Sequence, residues 1–155
     1  MLKLDIREGS LLDIVEINRL SSVTIKSKSF YKGFNQWFNE TFTPGLGSGE
    51  RSVLSVRDKR YGTLVGFSLL KRSHDEYKLC NLSPLLDGVG ITQVLLDASL
   101  FYFDKDFTID VPLNPETQAL HSKLKHLGFE SLNYNQSTDA TLQQTYIKPV
   151  NLSWL

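Results

Sequence analysis

The segment LSPLLDGVGITQVLLDAS, residues 82–99, passes from a strand pattern to a helix pattern through two glycines. Pro84 ends the strand because proline has no N–H to donate to a sheet ladder. Beyond Gly90 the apolar residues recur at the spacing of a buried helix face: Ile91, Val94, Leu95, Ala98 and Phe101. Gly88 and Gly90 therefore stand where a helix begins and where its first N–H groups lack a partner within the helix. The residues alone leave open whether this junction is an anion site or a tight turn.

Strand and helix patterns follow one another along the chain in the order β-α-α-β-β-β-α-β-α-β-β. Residues 2–7 alternate apolar and polar, and a helix pattern follows from Ser10, where Asp13 completes a capping-box-like start. Consecutive strand patterns occupy the middle of the chain, and the last helix pattern ends at Gly128, as a left-handed C-terminus does. This order predicts an α/β fold, a mixed sheet with helices on both faces.

The second helix pattern, residues 29–42, carries an aromatic stripe. Phe30, Phe34, Trp37 and Phe38 recur at helical spacing, and Tyr31 lies beside them. Such a stripe is either part of the core or the wall of a substrate site. The candidate substrate residues are Tyr31, Phe34 and Trp37.

Length and composition indicate one domain over residues 1–155, because 155 residues of which 41% are hydrophobic suffice for a sizeable core. Lys plus Arg equals Asp plus Glu at 17 each, so the total charge calls for no polyanionic partner. Residues 51–78 nevertheless hold seven basic and three acidic residues, a net +4.

The single cysteine, Cys80, excludes an internal disulfide and a cysteine zinc site, and we expect no metal. The charged start and the lack of a long apolar run predict a cytoplasmic protein without membrane contact.

The sequence resembles the GNAT superfamily of acetyl-coenzyme A-dependent N-acetyltransferases. Their pattern is a strand, then V-x-P-x-x-R/Q-G-x-G-I-G/A, then a Leu-rich helix, and LSPLLDGVGITQVLLDA matches it at Pro84, Gly88, Gly90, Ile91 and the Leu95–Leu96 pair. A second signature, a strand followed by a helix ending in L-G-F, is similar to FTIDVPLNPETQALHSKLKHLGFES. GTLVGFSLL resembles the family's third strand, and LDIREGSLLDIVEI its first strand and helix. The resemblance runs in order over roughly residues 2–148.

The resemblance implies a mixed, mostly antiparallel sheet of six or seven strands that splays open between the fourth and fifth. Acetyl-coenzyme A would lie in the splay as cosubstrate, its pantetheine arm against the backbone of Leu82 and Ser83. An acceptor amine would attack the thioester directly, and backbone N–H groups would stabilise the oxyanion. The implied cofactor-binding residues are Leu82, Ser83, Asp87, Gly88, Val89, Gly90, Ile91, Thr92, Gln93 and Asn114.

The chain departs from the family pattern at three positions. Asp87 replaces the Arg or Gln that precedes the glycines in the family pattern. This removes a contact to the pyrophosphate of coenzyme A worth roughly 1.5 to 3 kcal/mol and sets a negative charge near it. Thr92 replaces a small residue. Leu124 replaces the tyrosine that serves the family as general acid, so His121 and Ser122 are the nearest candidate proton donors, with Tyr102 more distant. Glu76 is the first candidate base, before Asp75 and His74.

Several alternatives remain open at this stage. The acceptor is a small amine, an amino acid, a protein terminus or lysine, or an aminoacyl-tRNA, and the basic stretch 51–78 favours an acidic or nucleic-acid-bearing one. The departures at Asp87, Thr92 and Leu124 favour a second interpretation, an inactive protein of this fold that binds coenzyme A or a partner as a sensor. A third is a scaffold or homodimer that uses the aromatic stripe and the apolar end NLSWL.

Overall fold

The computed structural model describes residues 3–23, 33–74, 76–86, 90–103, 106–113, 117–136 and 142–148. Within them lies a seven-stranded sheet of order β1-β2-β3-β4-β5-β7-β6. The strands are β1 Leu4–Glu8, β2 Arg51–Asp58, β3 Leu64–Arg72, β4 Tyr77–Pro84, β5 Phe107–Pro112, β6 Glu130–Gln136 and β7 Leu142–Lys148. The α-helices are α1 Leu11–Val23, α2 Phe34–Trp37, α3 Ile91–Tyr102 and α4 Gln118–His126. The predicted element order is confirmed.

All neighbouring strands are antiparallel except β4 and β5, which are parallel. Consecutive antiparallel strands need only short connections, whereas the parallel pair requires a crossover, and α3 supplies it. The predicted α/β class, with a mixed and mostly antiparallel sheet, is confirmed.

The two faces of the sheet carry separate cores because alternate residues of each strand point to opposite faces. Helices α3 and α4 cover one face, which we call the α3/α4 face; its buried residues include Leu70, Leu79, Leu96, Ile109, Leu124 and Tyr146. Helix α1 and the segment of residues 34–46, which begins with α2, cover the other face, which we call the α1/α2 face. Its buried residues include Ile17, Phe34, Phe38, Phe42, Val53, Phe67 and Leu69. Helices on both faces were predicted, and this is confirmed.

The helix predicted over residues 29–42 is helical from Phe34 onward but not α-helical throughout. After α2 a π-helical turn spans Phe38–Phe42 and a 3₁₀ turn spans Thr43–Leu46, and residues 29–32 lie outside the described residues. The i→i+5 bonds of the π turn widen the helix. Phe34 stacks on Phe38, and Phe38 on Phe42, with ring centroids 5.5 and 5.4 Å apart. Much of the aromatic stripe is therefore a column within the core.

Helix α1 packs on the sheet with a different set of residues than the apolar spacing of its sequence predicts. Leu11 and Val15 are 78% and 57% exposed, whereas Asp13 and Ile17 are buried. Asp13 takes an inner position because Arg57 of β2 donates to its Oδ1 from Nη2 at 2.7 Å, and the Ser10 N–H donates to Oδ2 at 2.7 Å. The predicted capping interaction between residues 10 and 13 is confirmed, and it joins the start of α1 to the sheet.

We expect Asp13→Asn to lower the free energy of unfolding by about 1 to 3 kcal/mol at pH 7, because it weakens the cap and removes the charge opposite Arg57. Burial raises the pKa of Asp13, but the hydrogen bonds from Ser10 and Arg57 outweigh it and hold that pKa below its usual value. The folded protein thus releases this proton more readily than the unfolded chain. The contribution is complete above the unfolded pKa of about 3.9 and is lost as the pH falls through the lower folded value.

Urea unfolding of wild type and variant at pH 7 and in steps below pH 4 measures this difference. Asp5→Asn is the control, because Asp5 pairs with Arg7 at the surface, where Arg7 is 75% exposed. That variant should change stability by less than about 1 kcal/mol. A difference for Asp13→Asn that persists undiminished in acid would contradict the assigned role.

Candidate active site

The parallel strands β4 and β5 pair at only two positions, Lys78 with Thr108 and Leu79 with Ile109. Beyond these pairs β4 follows β3 as far as Pro84, whereas β5 follows β7 as far as Pro112. The two strands therefore part, and no other strand of the described residues fills the opening. The predicted splay between the fourth and fifth strands is confirmed. Backbone groups along such an open edge can bind an extended ligand.

A β-bulge lies at the point where the splay opens. Leu70 of β3 is opposite Leu79, but Leu69 is opposite Asn81, so Cys80 is an extra residue in β4. A bulge turns backbone groups of the extra residue out of the ladder, and bulges are common beside active sites. The residue that follows the last β4–β5 pair is thus the one whose backbone is displaced.

Helix α3 begins just beyond the open end of β4. Gly90 precedes it with a left-handed backbone, φ +73°, and accepts a hydrogen bond from the Val94 N–H at 3.1 Å. Glycine adopts this conformation without the steric cost that a Cβ imposes. The first N–H groups of the helix have no acceptor within it, and the helix dipole makes this end attractive to anions.

Gly66 of β3 fixes how closely this helix approaches the sheet. A Cβ placed on Gly66 would lie 2.6 Å from Ile91 Cγ2 and 3.4 Å from the carbonyl oxygen of Ser83. The first turn of α3 therefore packs directly on β3 beside the final residues of β4. This packing brings the helix N-terminus to the same end of the strands as the splay.

Strands β4 and β5 are joined at the start of the splay by an ion pair between Lys78 and Asp110, whose side chains are 28% and 12% exposed. Thr145 of β7 donates to Asp110, and Asn135 of β6 donates to Thr145. Burial lowers the pKa of Lys78, but the carboxylate of Asp110 outweighs burial and raises it above its usual value. The ammonium group of Lys78 is therefore charged at neutral pH.

No protein-family model and no curated protein matches this sequence significantly. Solved structures are similar to it in fold. A GNAT-family acetyltransferase of Bacillus cereus has a TM-score of 0.69 at 11% identity, covering 96% of this chain and 99% of the other. The ribosomal-protein-S18-alanine N-acetyltransferase of Escherichia coli has a TM-score of 0.69 at 14% identity, covering 97% and 96%. The PaiA N-acetyltransferase of Thermoplasma acidophilum, solved with coenzyme A, has a TM-score of 0.61 at 15% identity, covering 93% and 98%.

This chain has the GNAT fold. The similarity covers nearly the whole chain in each case, and at these identities it concerns the fold. The resemblance inferred from the two sequence signatures is confirmed at that level.

Several residues predicted to bind the cofactor lie together in the GNAT fold of this chain. Ser83 is fully buried and donates to Asn81, and Leu82 is half-buried in β4. Gly90 is exposed ahead of α3, Ile91 is buried, and Thr92 and Gln93 are half-buried in the first turn. Gln93 donates to Asp97 at 2.8 Å, so its amide is engaged with its own helix. The predicted residues that lie outside the described residues are Asp87, Gly88, Val89 and Asn114.

The predicted base and proton donors are on opposite faces of the sheet. Glu76 precedes β4 on the α1/α2 face, where its carboxylate accepts from Lys71 Nζ at 2.8 Å. That hydrogen bond holds the pKa of Glu76 below its usual value, which makes the carboxylate a weaker base. Ser122 is exposed on α4, and Asp75, the alternative base, lies outside the described residues.

His121 of α4 is held between β7 and the end of β5. Its Nε2 lies 3.0 Å from the carbonyl oxygen of Pro112, and its Nδ1 lies 2.6 Å from the Tyr146 hydroxyl. A carbonyl oxygen can only accept, so Nε2 carries a proton. Burial raises the pKa of Tyr146, which keeps its hydroxyl protonated at neutral pH. Leu124, one turn further on, is completely buried in the core of the α3/α4 face.

The predicted substrate residues differ in burial. Phe34 is 2% exposed within the aromatic column. Trp37 is half-buried at the edge of that column, its ring centroid 5.6 Å from that of Phe42. A substrate wall would thus use Trp37 rather than Phe34, and Tyr31 lies outside the described residues.

Sequence reasoning missed three charged residues beside the bulge: Arg51, Lys78 and Asp110. Arg51 was counted only within the basic stretch, although its Nη1 lies 3.1 Å from Cys80 Sγ. Asp110 occupies a polar position in the alternation FTIDVP, and this was the one available signal. Burial raises the pKa of the Cys80 thiol, which disfavours the thiolate form that a nucleophile needs.

A groove of about 500 Å³ lies between β1 and α3, lined by Ile6, Leu54, Val94 and Phe101 among others. Of the predicted site residues it includes Tyr102, the more distant candidate proton donor, whose hydroxyl donates to Ser52 at 2.9 Å. Among the described residues no group of three or more His, Cys, Asp and Glu side chains could hold a metal ion. None of the helices in those residues is long and apolar enough to cross a membrane.

We expect Gly66→Ala to destabilise the protein by about 1 to 3 kcal/mol, because the new methyl group overlaps Ile91 and forces α3 away from β3. Gly47→Ala is the control, because Gly47 has an ordinary φ of −65° and nothing lies within 4 Å of its added Cβ. Chemical denaturation of both variants measures the difference. Equal stability of the two variants would contradict the close packing of α3 on β3 at Gly66.

Proposed function

We propose that this chain is an N-acetyltransferase that transfers the acetyl group of acetyl-coenzyme A to a primary amine. The observation that carries the proposal is the parting of β4 and β5 directly after a bulge, with the N-terminus of α3 at the open end. The open strand edges suit an extended arm with amide groups, and the helix N-terminus suits a pyrophosphate. The likeness in fold to acetyltransferases supports the same activity.

The bulge at Cys80 stabilises the negative charge that develops on the thioester oxygen during the reaction. The amine nitrogen forms a bond to the thioester carbonyl carbon, and the electrons of the C=O bond move onto its oxygen. Backbone N–H groups displaced at Cys80 stabilise that oxyanion. When the carbonyl re-forms, the C–S bond breaks and the sulfur leaves as a thiolate.

Two protons must move during this transfer. The attacking nitrogen loses one, and Glu76 accepts it through water, a task for which the Lys71 contact makes it a weak base. The departing thiolate gains one, which His121 donates from Nε2 at the end of β5 while its Nδ1 takes up the proton of the Tyr146 hydroxyl, 2.6 Å away, so that the imidazole stays neutral. Solvent then returns a proton to Tyr146. His121 is preferred to Ser122 because Ser122 is exposed on α4.

A single free cysteine suits the proposed cytoplasmic location.

A second function has its own supporting observation. Leu124 is completely buried at the position where the family has the tyrosine that acts as general acid. A protein of this fold that binds coenzyme A without turnover would serve as a sensor. Binding and turnover must therefore be measured separately. Release of the coenzyme A thiol with a panel of amines distinguishes the two functions, since the sensor releases none.

We expect acetyl-coenzyme A to raise the melting temperature by about 5 to 10 °C when its concentration is about 100 times Kd. Gly90→Glu should abolish this shift, because it places a carboxylate where the pyrophosphate binds. Gly49→Glu is the matched control, because both glycines have positive φ, +73° and +79°, and open space around an added Cβ.

Thermal unfolding with and without the ligand measures both variants. The two substitutions impose similar backbone strain, so their melting temperatures without ligand should fall by similar amounts. Only Gly90→Glu should lose the ligand shift. A wild-type protein that shows no shift with millimolar acetyl-coenzyme A would rule out both the enzyme and the sensor.

A further inference from the structure

Arg51 is held in a defined position beside the bulge. It is the first residue of β2, and its stem crosses Gly45, where an added Cβ would lie 2.3 Å from Arg51 Cγ. Its Cζ lies 5.8 Å from the centroid of the Phe42 ring, and its Nη1 lies 3.1 Å from Cys80 Sγ. The glycine, the ring and the thiol together direct the guanidinium towards the point where β4 and β5 part.

Arg51 has no ion-pair partner among the described residues, and it acts on Glu76 only at longer range. On the same face of the sheet Lys71 pairs with Glu76, and Lys78 pairs with Asp110. Among the described residues no carboxylate lies within ion-pair distance of Arg51. A half-buried guanidinium without a carboxylate is a favourable binding site for one, since its planar N–H groups match both carboxylate oxygens.

We infer that Arg51 binds a carboxylate of the acceptor, and that the acceptor is a small amine bearing that carboxylate, of the amino-acid type. The inference depends on the proposed function, which places the reacting carbonyl at the bulge residue Cys80. A carboxylate on Arg51 lies within a few ångströms of the Cys80 side chain, so only a few bonds can separate it from the attacking nitrogen. A protein lysine carries no carboxylate so close to its amine.

The surroundings of Arg51 suit the rest of such a molecule. Trp37 adjoins the Phe42 ring on which the guanidinium lies, and it is half-buried at the edge of the aromatic column. An amino acid with its carboxylate on Arg51 would have its side chain beside Trp37. The net positive charge of Arg51, Lys71 and Lys78 against Glu76 and Asp110 disfavours polyamines, which are cations.

The test compares each of the twenty amino acids with its primary amide as acceptor, measured as initial rates of coenzyme A release. With wild type the best amino acid should exceed its amide about tenfold or more in kcat/KM. Arg51→Gln should lower kcat/KM for that amino acid by about 10- to 100-fold, mainly through KM, and leave the amide unchanged. Arg51→Lys should fall between the two, because it keeps the charge and loses the fork.

Arg60→Gln is the matched control. Arg60 also lies over an aromatic ring, with its Cζ 5.2 Å from the centroid of Tyr61, but it belongs to the exposed turn between β2 and β3. It should match wild type for acids and amides alike. Melting temperatures of all variants without ligand verify that each is folded.

The outcomes separate this inference from the proposed function. Equal rates for acids and amides, or an equal loss of both in Arg51→Gln, would overturn the carboxylate site while acyl transfer stands. If no amine is acetylated, titration calorimetry of the N-acetyl amino acids into the protein with coenzyme A decides. Binding that Arg51→Gln removes and Arg60→Gln retains would support the carboxylate site without the activity, and an absence of binding would overturn it.

Discussion

The structure depends on the short parallel contact between β4 and β5. Two ladder positions and the ion pair of Lys78 with Asp110 hold the two strands together before they part. The contact joins strands β1 to β4 to the remainder of the sheet, and it ends where the bulge at Cys80 begins. A longer ladder would close the splay, and a shorter one would leave the two parts of the sheet to be joined by side-chain packing alone.

The packing on the two faces explains why such a short contact suffices. On the α3/α4 face one core runs continuously from Leu70 and Leu79 to Ile109 and Tyr146, so it crosses the line of the splay. Among the described residues, the core on the α1/α2 face extends across the sheet only as far as β4, where Cys80 packs against it, and Lys78 pairs with Asp110 beyond it. Apolar burial therefore joins the two parts on one face, while the other face presents Arg51, Glu76 and Lys78 around the bulge. The packing that crosses the splay and the charged groups beside the bulge are therefore on different faces, and His121 of α4 belongs to the first of them.

Much of the fold could be predicted from the sequence because it follows from local patterns. The start of α3 after Gly90, the end of the last helix at Gly128 and the alternation of the middle strands each depend on neighbouring residues, and the structure confirms them. The inner stripe of α1 could not be predicted, because the burial of Asp13 depends on its contact with Arg57, which is far away in sequence. The π turn was also missed, since the spacing of Phe34, Phe38 and Phe42 suits an α-helix equally well. Arg51 and Lys78 gave no sign of their place, because which charges meet at a splay is decided by strand pairing.

Amide hydrogen exchange with and without coenzyme A tests the central claim, that the splay is the coenzyme site. We predict slower exchange with the ligand in peptides that cover residues 80–84, at the open edge of β4, and residues 90–94, at the start of α3. The turn between β2 and β3 lies outside the splay and should exchange at the same rate in both samples. Ligand binding that leaves residues 80–84 unprotected, or that protects another surface instead, would contradict the account.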